Sequence, residues 1–186
     1  MKCRFFLLDL NESKWDGKPC IQFWGIDAES KRILILAVQI LPYFYFLAPA
    51  GLDRDTTRSK LMQDEKFSKV VDITADHRKL LGKDQTVFKV TCSDPAFLSR
   101  YAKAMLRIIG GGRSFEDLRL PVRYVTDCDF TPCEWNECDV ESVEIEGVAV
   151  HTAYLATSLP RSLSDAIPPK LRTLAFTTLT SRLRGS

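Results

Sequence analysis

The sequence predicts an α+β chain in which an antiparallel layer precedes one strong helix. Two observations predict it. Strand-length apolar runs follow one another closely near the amino terminus, joined by short polar turns such as ESKWDGKP and AESKR, the pattern of an antiparallel meander. Further on, SDPAFLSRYAKAMLRIIGGG carries the period of a helix.

CRFFLLDLN, PCIQFWGIDA and RILILAVQI read as three successive strands. PYFYFLAPA is a fourth, since Pro42 holds Leu41 extended and Pro49 ends the run. In that run Tyr43, Phe44, Tyr45 and Phe46 alternate, so one face is expected in the core; the other either stacks a base or is core as well. DRDTTRSKLMQDEKF turns helical, capped by Asp53 or Asp55, with a weak stripe of Leu61, Met62 and Phe67. KVVDITADH and TVFKVTCS are strands, the second setting Val87, Lys89 and Thr91 against Phe88, Val90 and Cys92. In the strong helix Ser93 or Asp94 caps, Pro95 sits in the first turn, and Gly110 to Gly112 stop it. FEDLRLPVRYVTD and a polar acidic stretch come next. EIEGVAVHTAYLAT is a hairpin turning at Glu146–Gly147, and LRTLAFTTL is a last strand.

With 186 residues, 45% hydrophobic and 27% charged, the chain has material for one good-sized domain or two small ones. A net charge of +2 excludes a uniformly basic nucleic-acid binder, so any such contact needs a local patch. Charge is segregated. Asp127, Asp129, Glu134, Glu137, Asp139, Glu141, Glu144 and Glu146 fall in a stretch free of Lys and Arg, whereas Arg161, Lys170, Arg172, Arg182 and Arg184 oppose only Asp165 near the end. The start is charged too early for a signal peptide, and no apolar run reaches membrane-spanning length. A cytoplasmic protein with six reduced cysteines is expected. Cys128, Cys133 and Cys138 lack the short gaps and the histidine of a zinc knuckle, so no metal or other cofactor is expected.

Three pieces in order carry a resemblance: LLDLNESKWDGKPCIQFWG leading to LPYFYFLAP; LLGKDQTVFKVTCSDP; and FEDLRLPVRYVTDCDFTPCEWNE, followed after a gap by LRTLAF. Together they resemble the amino-terminal domain of archaeal-type family B DNA polymerases, over nearly the whole chain. The resemblance implies an antiparallel sheet region, an RNA-recognition or ferredoxin-like module, and the first strand of a truncated RNase H-like exonuclease domain. It implies domains at 1–135, the polymerase amino-terminal domain, and 136–186, a linker hairpin with the start of the exonuclease.

In the family that strand carries an Asp-x-Glu pair after a Leu-Ala-Phe-type run, because two hard divalent metals about 4 Å apart need oxyanion ligands. Here Leu174, Ala175 and Phe176 match, but Thr177, Thr178 and Leu179 follow. Hydroxyls and a leucine do not hold such metals. No catalytic residue is assigned, and the chain alone is expected neither to degrade nor to synthesise DNA, although the parent family is a DNA-directed DNA polymerase. The departure from Thr177 onward, with its TSRLRGS tail, fits either a frameshifted or truncated gene or a deliberately shortened piece.

The resemblance also implies contact with single-stranded template DNA during replication, with uracil recognition as the finer expectation: main-chain groups bond the base edge and tight walls exclude the thymine methyl. The matching positions are Pro42, Tyr43, Phe44, Val87, Asp117, Leu118 and Leu120. A family aromatic falls on Glu12, and Arg119 and Leu120 depart from the common proline and aromatic. The alternative is a scaffold that docks onto the remaining polymerase chain without binding DNA. Blander readings sit beside these. Trp15 and Trp24 are packing, Arg123–Tyr124 an ion-paired arginine over an aromatic, His77 and His151 surface residues, and Glu134 and Glu137 a solvated loop.

Overall fold

The structure is a computed structural model that describes residues 1–80, 82–128, 130–163 and 167–178. The first three strands, β1 (Lys2–Trp15), β2 (Lys18–Ile26) and β3 (Arg32–Ala37), form the expected antiparallel meander. Cys3, Phe5 and Leu7 of β1, Ile21 and Phe23 of β2, and Ile33 and Ile35 of β3 turn inward into one core, as a period of two requires.

The chain then leaves this sheet and returns much later. β8 (Trp135–Val143) pairs antiparallel with β1, and β9 (Thr152–Ala156) pairs antiparallel with β8 and parallel with β3, so the sheet closes into a ring. A short β10 (Arg161–Ser162) also pairs with β8. The acidic stretch expected as a polar loop is therefore partly a strand. Cys138 and Val140 face the core, while Asp139 and Glu141 are exposed. Glu137, expected in a solvated loop, lies in β8. There it accepts a charge-assisted bond from Arg161, whose guanidinium holds the carboxyl below its ordinary value.

Between the two halves of the ring sits an inserted unit. Its elements run β4 (Tyr43–Leu47), α1 (Arg54–Met62), β5 (Val70–Leu80), β6 (Lys83–Cys92), α2 (Leu98–Ile109) and β7 (Arg113–Phe115). The order in the sheet is β5-β6-β4-β7, all pairs antiparallel. This is the βαββαβ arrangement of the ferredoxin-like and RNA-recognition modules. Asp53 caps α1 by accepting from the Thr56 amide, and Asp94 accepts from the Ala96 amide at the 3₁₀ turn leading into α2. Gly110 ends α2 in the left-handed conformation. Phe44, Phe46, Ile73, Phe88, Val90 and Cys92 meet Leu61, Phe67, Tyr101, Ala102 and Met105 in a second core under the helices.

A third helix, α3 (Leu120–Asp127), bridges the inserted unit and the ring, with Pro121 in its first turn. The sequence reading assigned it no element. Tyr124 packs edge-on against Phe23, and its hydroxyl donates to the Pro160 carbonyl. The last expected strand does not form among the described residues. Residues 171–178 have no strand partner, and Leu174 and Phe176 are 83% and 82% exposed. A strand exists only where another edge satisfies its backbone. Leu179 and the tail from Thr180, like Asp129, Asp165, Arg182 and Arg184, lie outside the described residues.

Candidate nucleic-acid interface

The aromatic run of β4 is buried on both faces. Tyr43 and Tyr45 are 6% and 7% exposed toward the ring core, and Phe44 and Phe46 are wholly buried toward the helices. Of the two readings of this run, core on both faces is the one the structure supports: the ring and α3 cover the face that an RNA-recognition module presents to bases.

That covered face holds a polar cluster. The Tyr43 and Tyr45 hydroxyls both donate to Asp127 Oδ2, at 2.5 and 2.6 Å. Arg78 donates to the Tyr45 hydroxyl at 2.5 Å and lies 3.8 Å from Asp127 and 3.0 Å from Asp76. The Arg123 guanidinium sits 5.5 and 5.4 Å from the two tyrosine ring centres and donates to the Phe115 carbonyl at 2.7 Å. Lys89 Nζ lies 3.9 Å from the Tyr43 ring centre. Burial first, and then the bond to Asp127, raise both phenols; Tyr45 is pushed up to about 12. Both stay neutral donors over the whole physiological range. Arg123 thus lies over Tyr43 and Tyr45 rather than over its neighbour Tyr124. No sequence motif announced Asp127 as the shared acceptor, because its partners are remote along the chain.

The expected base-binding residues separate into three groups. Tyr43, Val87 and Leu120 meet in the ring core, and Pro42, also buried, accepts from the Cys92 amide at 2.8 Å. Phe44 lies across the sheet from them. Asp117 and Leu118 are exposed in the loop before α3, with Leu118 at 44%.

Glu12 and Arg119, by contrast, come together in an open cleft of about 510 Å³. Its walls are Leu10 to Lys14 of β1, Pro95 before α2, and Arg119, Pro121 and Val122 at the start of α3. Beyond Phe6, β1 pairs only with β2, so its other edge over Leu10–Lys14 has no strand partner among the described residues. The lining combines rigid apolar surfaces, two cations (Lys14 and Arg119), one carboxylate (Glu12) and an open backbone edge. It contains no aromatic ring. Pro95, Pro121 and Val122 went unassigned to a site because each reads as helix punctuation or helix filling.

Elsewhere, Trp15 and Trp24 pack beside Leu34 and Leu36. His151 is exposed as expected, yet its Nδ1 accepts from the Arg32 amide at 3.0 Å. No disulfide joins the six cysteines, and no three His, Cys, Asp or Glu side chains among the described residues are grouped to hold a metal. No helix there is long and apolar enough to cross a membrane.

Comparison with known proteins gives the family context. DNA polymerase 2 of Aeropyrum pernix is 27% identical over 131 residues, 69% of this chain and 16% of that protein. The solved family B DNA polymerase of Pyrobaculum calidifontis superposes with a TM-score of 0.69 at 25% identity, covering 90% of this chain and 21% of the other. In sequence and in fold the chain resembles the amino-terminal domain of archaeal family B DNA polymerases. No family model matches it. The chain spans less than a quarter of the length of either polymerase.

Proposed function

We propose that this polymerase-like domain contacts single-stranded template DNA through the cleft between β1 and the start of α3, and that it tests unpaired bases there for uracil. One observation carries the reading: Glu12 and Arg119, two positions that the family resemblance assigns to the base pocket, line the same cleft. Pro95, Pro121 and Val122 offer stiff apolar walls, and the unpaired edge of β1 offers main-chain donors and acceptors for a base edge. Lys14 and Arg119 neutralise phosphate, while Glu12 opposes it. Eversion costs little for a base that is already unpaired, and a wall rejects an added methyl by contact. Thr177 and Thr178 stand where the resemblance expects a carboxylate pair, which supports binding over metal-assisted cleavage as the role of these residues.

The test is a titration against two labelled single-stranded oligonucleotides identical except for one uracil in place of thymine. Tenfold tighter binding to the uracil strand, about 1.4 kcal/mol, with the preference lost in Val122→Asp, is the expected result. Equal affinities overturn uracil sensing and keep template contact. Absence of binding to both overturns the DNA reading. It would favour a docking piece, for which the exposed Leu174 and Phe176 are the supporting observation.

A further inference from the structure

The outer face of α2 carries a second charged surface, remote from the polar cluster at Asp127. Arg100, Lys103 and Arg107 recur at helical spacing and are all exposed. Seven residues of helix span about 10 Å, so the three cations form a line of that length. With Lys66, from the 3₁₀ turn Glu65–Phe67, they border a groove of about 540 Å³ floored by Ala104 and edged by Ser99 and Ile108.

Single-sign charge on this face is the informative feature. The sequence of α2 contains no Asp or Glu. Asp64 is the one acid in the groove lining, and its carboxylate accepts from the Lys66 amide at 2.9 Å. Lys66, Lys103 and Arg107 make no ion pair among the described residues, and Arg100 is engaged only by the Phe97 ring, 6.0 Å away. A face kept merely soluble interleaves both signs. Asp64 and Glu65 flank Lys66 at the rim of the groove, but the line along α2 itself is single-signed. A line of unopposed cations beside an open groove fits a linear polyanion.

We infer that the α2 groove holds the phosphate backbone of DNA, with Arg100, Lys103, Arg107 and Lys66 as phosphate contacts and no base readout. The partner's identity rests on the template-binding reading; the location does not, since none of these residues lines the cleft. Pro95 lines the cleft one short turn before α2, so the two surfaces flank a single element.

The experiment measures the salt dependence of single-stranded DNA binding by the 186-residue chain. It compares wild type, the triple variant Arg100→Gln/Lys103→Gln/Arg107→Gln, and a charge-matched control, Lys18→Gln/Lys31→Gln/Lys83→Gln. Glutamine retains helix propensity, and equal melting temperatures verify the folds. Each phosphate contact contributes about 0.7 to the slope of log affinity against log salt for single strands, so the α2 triple is expected to flatten the slope by about 2, with the control near wild type. Equal flattening in the control overturns the inference, because net charge alone then explains it. A wild-type slope in the α2 triple overturns it while leaving the cleft reading intact, and would hand the groove to an acidic protein. Failure of wild type to bind either oligonucleotide sinks both.

Discussion

The two faces of the four-stranded sheet are buried by different means. Under the helices, Phe44, Phe46, Val90 and Cys92 meet Tyr101, Ala102 and Met105, and contact is almost wholly apolar. On the other face Tyr43 and Tyr45 meet the ring and α3, and their hydroxyls converge on Asp127 between Arg78 and Arg123. The first face belongs to one inserted unit and needs only well-filled volume. The second joins units made from distant parts of the chain and needs a fixed relative position. Hydrogen bonds supply that, because they are directional and a misplaced partner leaves a buried donor unsatisfied. Shape closes the inserted unit on itself, and polar geometry seats it.

The largest break in this comparison comes from the apolar side. Phe46→Ala empties a fully buried ring site and is expected to cost about 3–5 kcal/mol in urea or guanidinium unfolding. Loss across the whole chain is expected, because Phe46 lies in the strand shared by both faces.

Asp127→Ala is the matching break on the polar side. It strands two tyrosine hydroxyls and removes the acid facing Arg78, at an expected cost of about 2 kcal/mol, reduced from a fully buried case because Arg78 is partly exposed. Its signature is local. Amide exchange in α3 is expected to quicken while α2 keeps its protection. Equal loss in both helices would show that the two faces are not independent.

Alkali sharpens the same contrast. Tyr45 rises from an ordinary value near 10 to about 12, so the folded state holds a proton that the unfolded state releases. The stability this contributes is complete below pH 10 and is lost as pH climbs through 12. Cys92 and Cys138, pushed up to about 12 by burial, add a slope of the same sign. The informative comparison is therefore wild type against Tyr43→Phe/Tyr45→Phe, whose midpoint is expected to fall less steeply over that window.

Most of the inserted unit was legible in the sequence because its signals are local: caps at Asp53 and Asp94, the stop at Gly110, and alternation through Val87 to Cys92; the closing strand Arg113–Phe115 was not, because three residues are too few to show a period. β8 was obscured by its charges. Asp139 and Glu141 made the segment look like a loop, although Cys138 and Val140 alternate with them at strand period. In α3, Pro121 is a first-turn signal, but Arg123 breaks the apolar stripe and is nonetheless buried, since its charge lies over two rings and its NH bonds a carbonyl. The strand expected at Leu174–Phe176 had the right composition and no edge to join. For the site, the departures from the family pattern at Glu12 and Arg119 line one cleft, whereas Tyr43, a matching position, is walled in. Residue type distinguishes a buried tyrosine from an exposed one poorly.

The closed ring has a consequence for how the chain comes together in time. β3 finds its second neighbour only when Thr152–Ala156 has been made, and β1 waits for Trp135–Asp139. The sheet pairings and the helix-side core of the inserted βαββαβ unit use nothing beyond Phe115. During synthesis the unit from Tyr43 to Phe115 is complete while the first three strands still present an open edge at each side. Closing a ring across so long a span is slow, since loop entropy is spent before the contacts repay it. A folded insert shortens the effective gap by pairing Tyr45 with Phe115, which sets the strand that enters the unit beside the strand that leaves it. The inserted unit is thus the clasp on which the ring is threaded, and the order of events during folding is written into the order of strands along the chain.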